Sequence, residues 1–143
     1  MLDFQNISVH YGLQDVLADV SFRVNASERI GVVGPNGSGK STTIKMILGL
    51  MRPTKGTVRL FGLDPRNRAA RARIGYLPEL SRLHPFLTAE ETVMYYAGLS
   101  GMRRSEARER MSRLLGEMDL AKAAGRAVGG FSKGMARRVA IAA

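Results

Sequence analysis

Eight residues carry the sharpest chemical signal in the chain: Gly34-Pro35-Asn36-Gly37-Ser38-Gly39-Lys40-Ser41. Their spacing satisfies the pattern G-x-x-x-x-G-K-[ST] in full, the pattern of a loop that cradles phosphates. Gly34, Gly37 and Gly39 let the backbone curl until several N–H groups face one anion. A helix opening directly after the loop adds the partial positive charge of its N-terminus. Lys40 is then placed to meet β- and γ-phosphates. Ser41 offers its hydroxyl to Mg²⁺, and Thr42 extends the same edge.

The flanking sequence supplies the elements such a loop needs. Arg29 to Val33 is a short apolar run (Ile30, Val32, Val33) that stops at Gly34, as a buried parallel strand would. Ser41 to Leu50 is helical in composition and ends before Arg52-Pro53. Upstream, Leu2 to Val9 alternates with one slip in phase. Val16, Ala18, Val20, Phe22 and Val24 repeat with a period of two. A turn containing Gly12 joins them. Gly56 to Phe61 reads as a further strand, and Ile74 to Leu77 as a short one closed by Pro78.

From about Pro85 the pattern becomes helical. Thr88-Ala89-Glu90-Glu91 is a capping box that opens a helix running to about Leu99. A second helix starts near Ser105, with Ala107, Met111, Leu114, Leu115 and Met118 as its apolar stripe. Glu106 with Arg110, and Glu109 with Arg113, are expected as i,i+4 pairs on its wet side. Ala121 to Gly130 reads as a loop, and a last helix begins near Ser132. The expected organisation is a β-rich part over residues 1–82 and a helical part over 83–143.

Composition narrows the function classes. At 143 residues and 45% hydrophobic content the chain can bury a core and is not disordered. It has no cysteine, which excludes disulfides and cysteine-based zinc or nucleophile chemistry. No signal peptide is visible, and apolar stretches such as Met46 to Met51 are too short to span a bilayer. The expectation is a soluble, cytoplasmic domain. The net charge of +10 raises nucleic acid, membrane surface and polyphosphate as partners. The basic residues are spread out, however, and no aromatics interleave with them as a stacking platform would require.

The string Gly31-Val32-Val33-Gly34-Pro35-Asn36-Gly37-Ser38-Gly39-Lys40-Ser41-Thr42-Thr43 resembles the ATP-binding subunits of ABC transporters. Three further segments agree in order. They are Val9-His10-Tyr11-Gly12 ahead of Val16 to Phe22, Gly49 to Val58 after the loop helix, and Phe131-Ser132-Lys133-Gly134-Met135 at the place of the signature motif. The Ser-Lys-Gly-Met variant is similar to a branch that includes drug and other ABC-2-type exporters. The resemblance implies an α/β fold with a P-loop NTPase (RecA-like) core, an antiparallel β subdomain and a helical signature subdomain. It implies Tyr11 as the aromatic that stacks on adenine, and Ser132 and Gly134 as contacts to the γ-phosphate held by the other subunit. Two copies would close head to tail on two ATP molecules.

Glu79 stands where that family usually has Gln, after Ile74-Gly75-Tyr76-Leu77-Pro78. A carboxylate can ligate Mg²⁺ but cannot donate an N–H, so the resemblance gives Glu79 a metal-side and coupling role. The family's apolar strand ending in Asp-Glu, and its later switch His, do not occur after Ser132. The C-terminal core strands are therefore expected to be missing. The chain is expected to be a fragment that binds Mg-ATP without turning it over by itself. A transmembrane permease partner is implied, placing the protein on the inner face of the cell membrane. Its coupling groove would lie at about Glu79 to Leu99, with Phe86, Tyr95 and Tyr96 as contacts. Export is the implied direction. A nucleic-acid-handling ABC ATPase and a non-catalytic regulatory subunit are the alternatives; no nucleic-acid partner is expected.

Overall fold

The computed structural model describes residues 1–79 and 83–143. They form two compact units, Met1–Gly75 and Tyr76–Ala143. The boundary expected after residue 82 falls at residues outside the described set.

In the first unit, β1 (Leu2–Tyr11) and β2 (Gln14–Val24) form an antiparallel hairpin. Gly12 turns it at φ 60°. β3 (Lys55–Leu60) pairs antiparallel with the other edge of β1, giving the order β2-β1-β3. Helix α1 (Lys40–Ile47) shares a core with this sheet, where Met46 meets Phe4, Ile7, Val9 and Val58. Phe4 stacks on Phe22 with ring centroids 4.4 Å apart.

The phase slip in β1 has a physical cause. Asn6 and Asp19 both sit at φ 50°, each in a break of register between β1 and β2. The Asn6 amide donates to Asp19 Oδ1 (3.0 Å), and its N–H donates to Ser21 Oγ (2.8 Å). The Asp19 N–H donates to Ser8 Oγ (3.1 Å). Such bulges re-aim the side chains beyond them, so Phe4 and Ile7 both reach the core. In β2 the same break overturns the expected period of two. Ala18 is exposed, while Leu17 packs on the core together with Phe22.

Two expected strands do not form. Arg29 to Val33 and Ile74 to Leu77 have no strand pairing. Ile30 and Val33 are 55% and 93% exposed. A parallel strand is stabilised by neighbours on both edges and cover on both faces. Among the described residues no strand runs beside either segment, so their apolar sequence has nothing to pair with.

A short helix, α2 (Arg68–Arg71), follows β3. The second unit contains α3 (Ala89–Leu99), α4 (Arg104–Glu117) and α5 (Lys133–Ala142). Between α4 and α5 the expected loop is built from two 3-10 turns, Ala121–Ala123 and Val128–Gly130. Ala89, Val93, Leu115, Leu120, Val128, Val139 and Ala142 form the core. The expected stripe on α4 faces inward: Ala107 and Leu115 are buried, and Met111, Leu114 and Met118 are half-buried. Glu106 pairs with Arg110 at 2.9 Å. Arg113 does not pair with Glu109; it has a carboxylate one turn on either side and takes Glu117, at 3.7 Å.

The capping box is complete. Thr88 Oγ1 accepts the Glu91 N–H (3.1 Å), and Glu91 Oε2 accepts the Thr88 N–H (2.8 Å). The Thr88 backbone N–H, and after it the Thr88 side chain, hold the Glu91 carboxyl below its ordinary value. A depressed folded pKa adds stability above the unfolded value and loses it as pH falls through the folded one. The melting-temperature gap between the wild type and Glu91→Ala should therefore shrink as pH falls from about 6 to about 3. A gap constant over that range would show that the charge of Glu91 contributes nothing.

Gly56 marks the closest approach of β3 to the bulge. It sits at φ 89°, and a β-carbon there would lie 2.3 Å from the Asn6 carbonyl oxygen and 2.4 Å from that of Gln5. Gly56→Ala should lose about 2 kcal/mol or more in urea unfolding, through strain and clash together. Gly98→Ala is the control. Gly98 lies inside α3 with open space around its Cα, so alanine there should add about 0.5–1 kcal/mol.

Candidate functional site

The phosphate-loop sequence takes a conformation that only glycine accepts at two points. Gly37 and Gly39 lie at φ 86° and 85°. At Gly34 an added β-carbon would meet Ser38 Oγ at 2.5 Å. Gly39 is also the N-cap of α1, so no side chain caps this helix, and its first turn has no acidic residue. The N–H groups that open a helix have no intrahelical partners. Here they stand behind an exposed loop, residues 34–38. A compact polyanion fits this arrangement: bare donors, helix dipole and left-handed glycines point the same way.

Lys40 links the two ends of the loop. Its Nζ donates to the carbonyl oxygens of Gly34 (2.6 Å) and Pro35 (2.7 Å). The ammonium is thereby held at the mouth of the loop. Ser41 is exposed, Thr42 half-buried, and Thr43 buried on the core side of α1.

The hairpin that carries Tyr11 leans on the same loop. A β-carbon on Gly39 would lie 2.8 Å from Leu17 Cδ2 and 3.2 Å from the Val16 carbonyl oxygen. Tyr11 ends β1, opposite Gln14. Its hydroxyl donates to Met51 Sδ (3.1 Å), while the ring remains 56% exposed. Beside it the His10 imidazole Nδ1 pairs with Asp15 Oδ1, and the His10 N–H donates to Thr54 Oγ1 (3.2 Å). The Tyr11 hydroxyl is anchored while the residue stays largely exposed, which suits a ring that could stack on a flat partner.

The remaining expected residues lie in the second unit. Ser132 is the N-cap of α5, its Oγ accepting the Met135 N–H (3.2 Å). Among the described residues, the only atom near a β-carbon added at Gly134 is Ser132 Oγ, at 3.9 Å. The N-terminus of α5 is thus a second open turn of backbone. Glu79 has an exposed side chain, and its carbonyl oxygen accepts from Arg137 Nη1 (3.2 Å). Ser41 and Glu79, the two expected metal ligands, belong to different units. Among the described residues no three His, Cys, Asp or Glu side chains are grouped to hold a metal ion. Ser41 offers a single hydroxyl, which fits a Mg²⁺ that draws most of its oxygens from phosphates and water.

Two contacts were not legible from motifs. Arg137 Nη1 also donates to the Pro78 carbonyl oxygen, so α5 is tied to the backbone just before and at Glu79. Met51 lies 40 residues from Tyr11 in sequence and has no polar character to flag it. Neither residue type signals its role without the fold.

These features define an α/β P-loop NTPase fold. The family model described as "ABC transporter" matches residues 17–143, and the chain belongs to that family. It is 35% identical, over 99% of its length, to an uncharacterised ABC transporter ATP-binding protein, YxlF, of Bacillus subtilis. It is 39% identical over 99% of its length to Nod factor export ATP-binding protein I of Burkholderia orbicola. It is 36% identical over its whole length to the linearmycin resistance ATP-binding protein LnrL of Bacillus subtilis. The chain covers 47% of each of these relatives. A solved structure of the ATP-binding subunit of an ABC transporter superposes with a TM-score of 0.83 at 36% identity. That match spans 99% of this chain and 60% of the other. No helix among the described residues is long and apolar enough to cross a membrane.

The Lys40 bridge predicts a property of the ligand-free protein. In Lys40→Met, backbone amides of residues 36–39 should exchange with deuterium several-fold faster than in the wild type. Unchanged exchange would show that the two lysine hydrogen bonds do not hold the loop.

Proposed function

We propose that the chain binds Mg-ATP as part of the ATP-binding subunit of an ABC transporter that exports its substrate. The observation that carries this reading is the complete phosphate loop, with left-handed glycines and an uncapped α1 behind it, in a chain of this family. The backbone N–H groups of residues 36–41 would hold the β-phosphate, and Lys40 would exchange its two carbonyl partners for phosphate oxygens. Ser41 would present a hydroxyl to Mg²⁺, with Thr42 beside it and Glu79 supplying a carboxylate. A bound Mg²⁺ neutralises part of the phosphate charge. Tyr11 would stack on adenine.

Ser132 and Gly134 would face the γ-phosphate held by a second copy, so that ATP joins two subunits head to tail. Only the triphosphate would reach both half-sites, which gives ATP and ADP different affinities for the closed pair. The permease would dock on the second unit. A groove of about 740 Å³ is lined by Met94, Tyr95, Met102 and Met111, with Glu90 and Glu91 from α3 and Arg104 and Arg108 from α4. Phe86 (83% exposed) lies on the same unit. Export is supported by relatives named for Nod factor export and linearmycin resistance.

Hydrolysis needs a group that positions the attacking water. The 143 residues contain no apolar strand ending in Asp-Glu after Ser132. The chain by itself should therefore bind Mg-ATP and not turn it over. Calorimetric titration should show ATP binding in the wild type and a loss of at least tenfold in affinity in Lys40→Ala. Turnover by the isolated chain, abolished by Lys40→Ala, would overturn the second half of this reading. Equal affinity in the two proteins would overturn the first.

A further inference from the structure

The turn after β3 carries a residue that its backbone disfavours. Phe61 sits at φ 54° and Gly62 at φ 82°. The turn is closed in both directions, Leu60 N–H to Leu63 O (2.8 Å) and Leu63 N–H to Leu60 O (3.0 Å). Two successive left-handed residues call for Asn-Gly or Asp-Gly, and a bulky aromatic at the first of them is an outlier. Asparagine would relieve the backbone there, so the phenyl ring is retained against local preference. Strain of this kind at a surface turn points to a role for the side chain.

The surroundings of that ring are cationic. The Arg73 guanidinium lies over it, 3.8 Å from the centroid. Arg59 Nη1 donates to the Gly62 carbonyl oxygen (3.3 Å). Helix α2 follows with Ala70 buried and Arg68 and Arg71 exposed. Residues 59–73 hold five arginines (59, 66, 68, 71 and 73) against one carboxylate, Asp64, which pairs with Arg66 at 2.7 Å. Asp3, opposite Arg59 in the sheet, is engaged by Arg23 at 3.2 Å. Helix α4 differs: Arg110 and Arg113 each pair with a glutamate on their own helix. Leu63 (38% exposed) and Met1 (49%) add apolar surface next to the Phe61 turn, the Met1 carbonyl oxygen accepting the Phe61 N–H (2.8 Å).

We infer that the Phe61 turn and α2 form a contact surface for an anionic phospholipid bilayer. Arginines around this turn suit a headgroup layer, where guanidinium groups meet phosphates, Leu63 enters the interface, and the half-buried Phe61 ring holds the Arg73 guanidinium in place. The inference rests on the transporter reading, which holds the subunit beside a membrane through its permease. Once so held, a weak surface contact gains effective concentration and can fix the orientation of the subunit. Near an anionic surface each arginine changes partitioning roughly fivefold. A bilayer is favoured over nucleic acid because only one aromatic lies in the patch and an arginine already covers its face.

The test is sedimentation of the 143-residue chain with phosphatidylcholine vesicles containing none or 30% phosphatidylglycerol. Binding should require the anionic lipid and fall steeply with salt. Arg68→Glu with Arg71→Glu should weaken it at least ~20-fold. Phe61→Asn separates the surface role from a structural one. It should weaken vesicle binding several-fold while the melting temperature holds or rises. Vesicle binding indifferent to lipid charge or to these substitutions would overturn the proposal. So would a lower melting temperature of Phe61→Asn with unchanged binding, or a preference for an RNA oligonucleotide over vesicles. ATP titration of the same samples separates the two readings: no ATP binding sinks the transporter subunit, whereas ATP binding without vesicle binding sinks only the membrane contact.

Discussion

The seat of Gly39 against the β1–β2 hairpin is the constraint on which the rest of the first unit depends. This residue is the N-cap of α1, has a left-handed backbone, and leaves no room for a β-carbon because Leu17 and Val16 lie against it. Three consequences meet in one atom's absence. The helix begins without a side-chain cap, so its first N–H groups stay available to an external acceptor. The loop ahead of it is forced to curl, with Gly37 in the same left-handed region. The hairpin whose tip carries Tyr11 is brought against the base of that loop. A serine or aspartate cap would stabilise the helix by about 1 kcal/mol. It would also occupy donors that the proposed phosphate site requires.

The protein resolves the resulting deficit internally. Lys40 donates to two carbonyl groups at the start of the loop, so its charge is partly satisfied and its position fixed before any phosphate arrives. Exchanging two neutral acceptors for anionic phosphate oxygens adds a direct charge–charge attraction to hydrogen bonds that the ammonium already makes charge-assisted. In the proposed reading, the loop thus favours an anion and is held open by Lys40 without one. At the opening of α5 the device is gentler: Ser132 caps one N–H, and Gly134 keeps the adjacent backbone unobstructed.

Much of this was legible in sequence because the signals were local. The glycine spacing of 34–41 dictates left-handed backbone, and Thr88 with Glu91 dictates a capping box; neither needs a distant partner. The unit-two helices followed from periodicity and caps. What failed was non-local. The segments at 29–33 and 74–77 look like strands by composition, yet a strand exists only with neighbours, and none of the described residues provides one. The alternation in β2 broke at Asp19 because Asn6, thirteen residues away, reaches across to it. The Arg113 pairing turned on a choice between two equal carboxylates. Tyr11–Met51 and Arg137 with residues 78–79 join residues far apart in sequence, which no spacing rule reports.

The basic charge illustrates the same division between local and spatial information. Counted along the chain, the excess of +10 looks diffuse. The fold sorts it into classes with different physical meaning. Lys40 is consumed by the loop, and Arg137 and Arg138 by backbone carbonyls of their own unit. Arg110 and Arg113 are neutralised along α4. After these are set aside, the arginines of α2 and its flanks are the part of the excess least matched by carboxylates, and they surround the one aromatic held in a left-handed turn. Charge that the backbone and the carboxylates have already claimed says little about partners. Charge that remains unmatched beside a strained ring is where a partner's surface has something to gain.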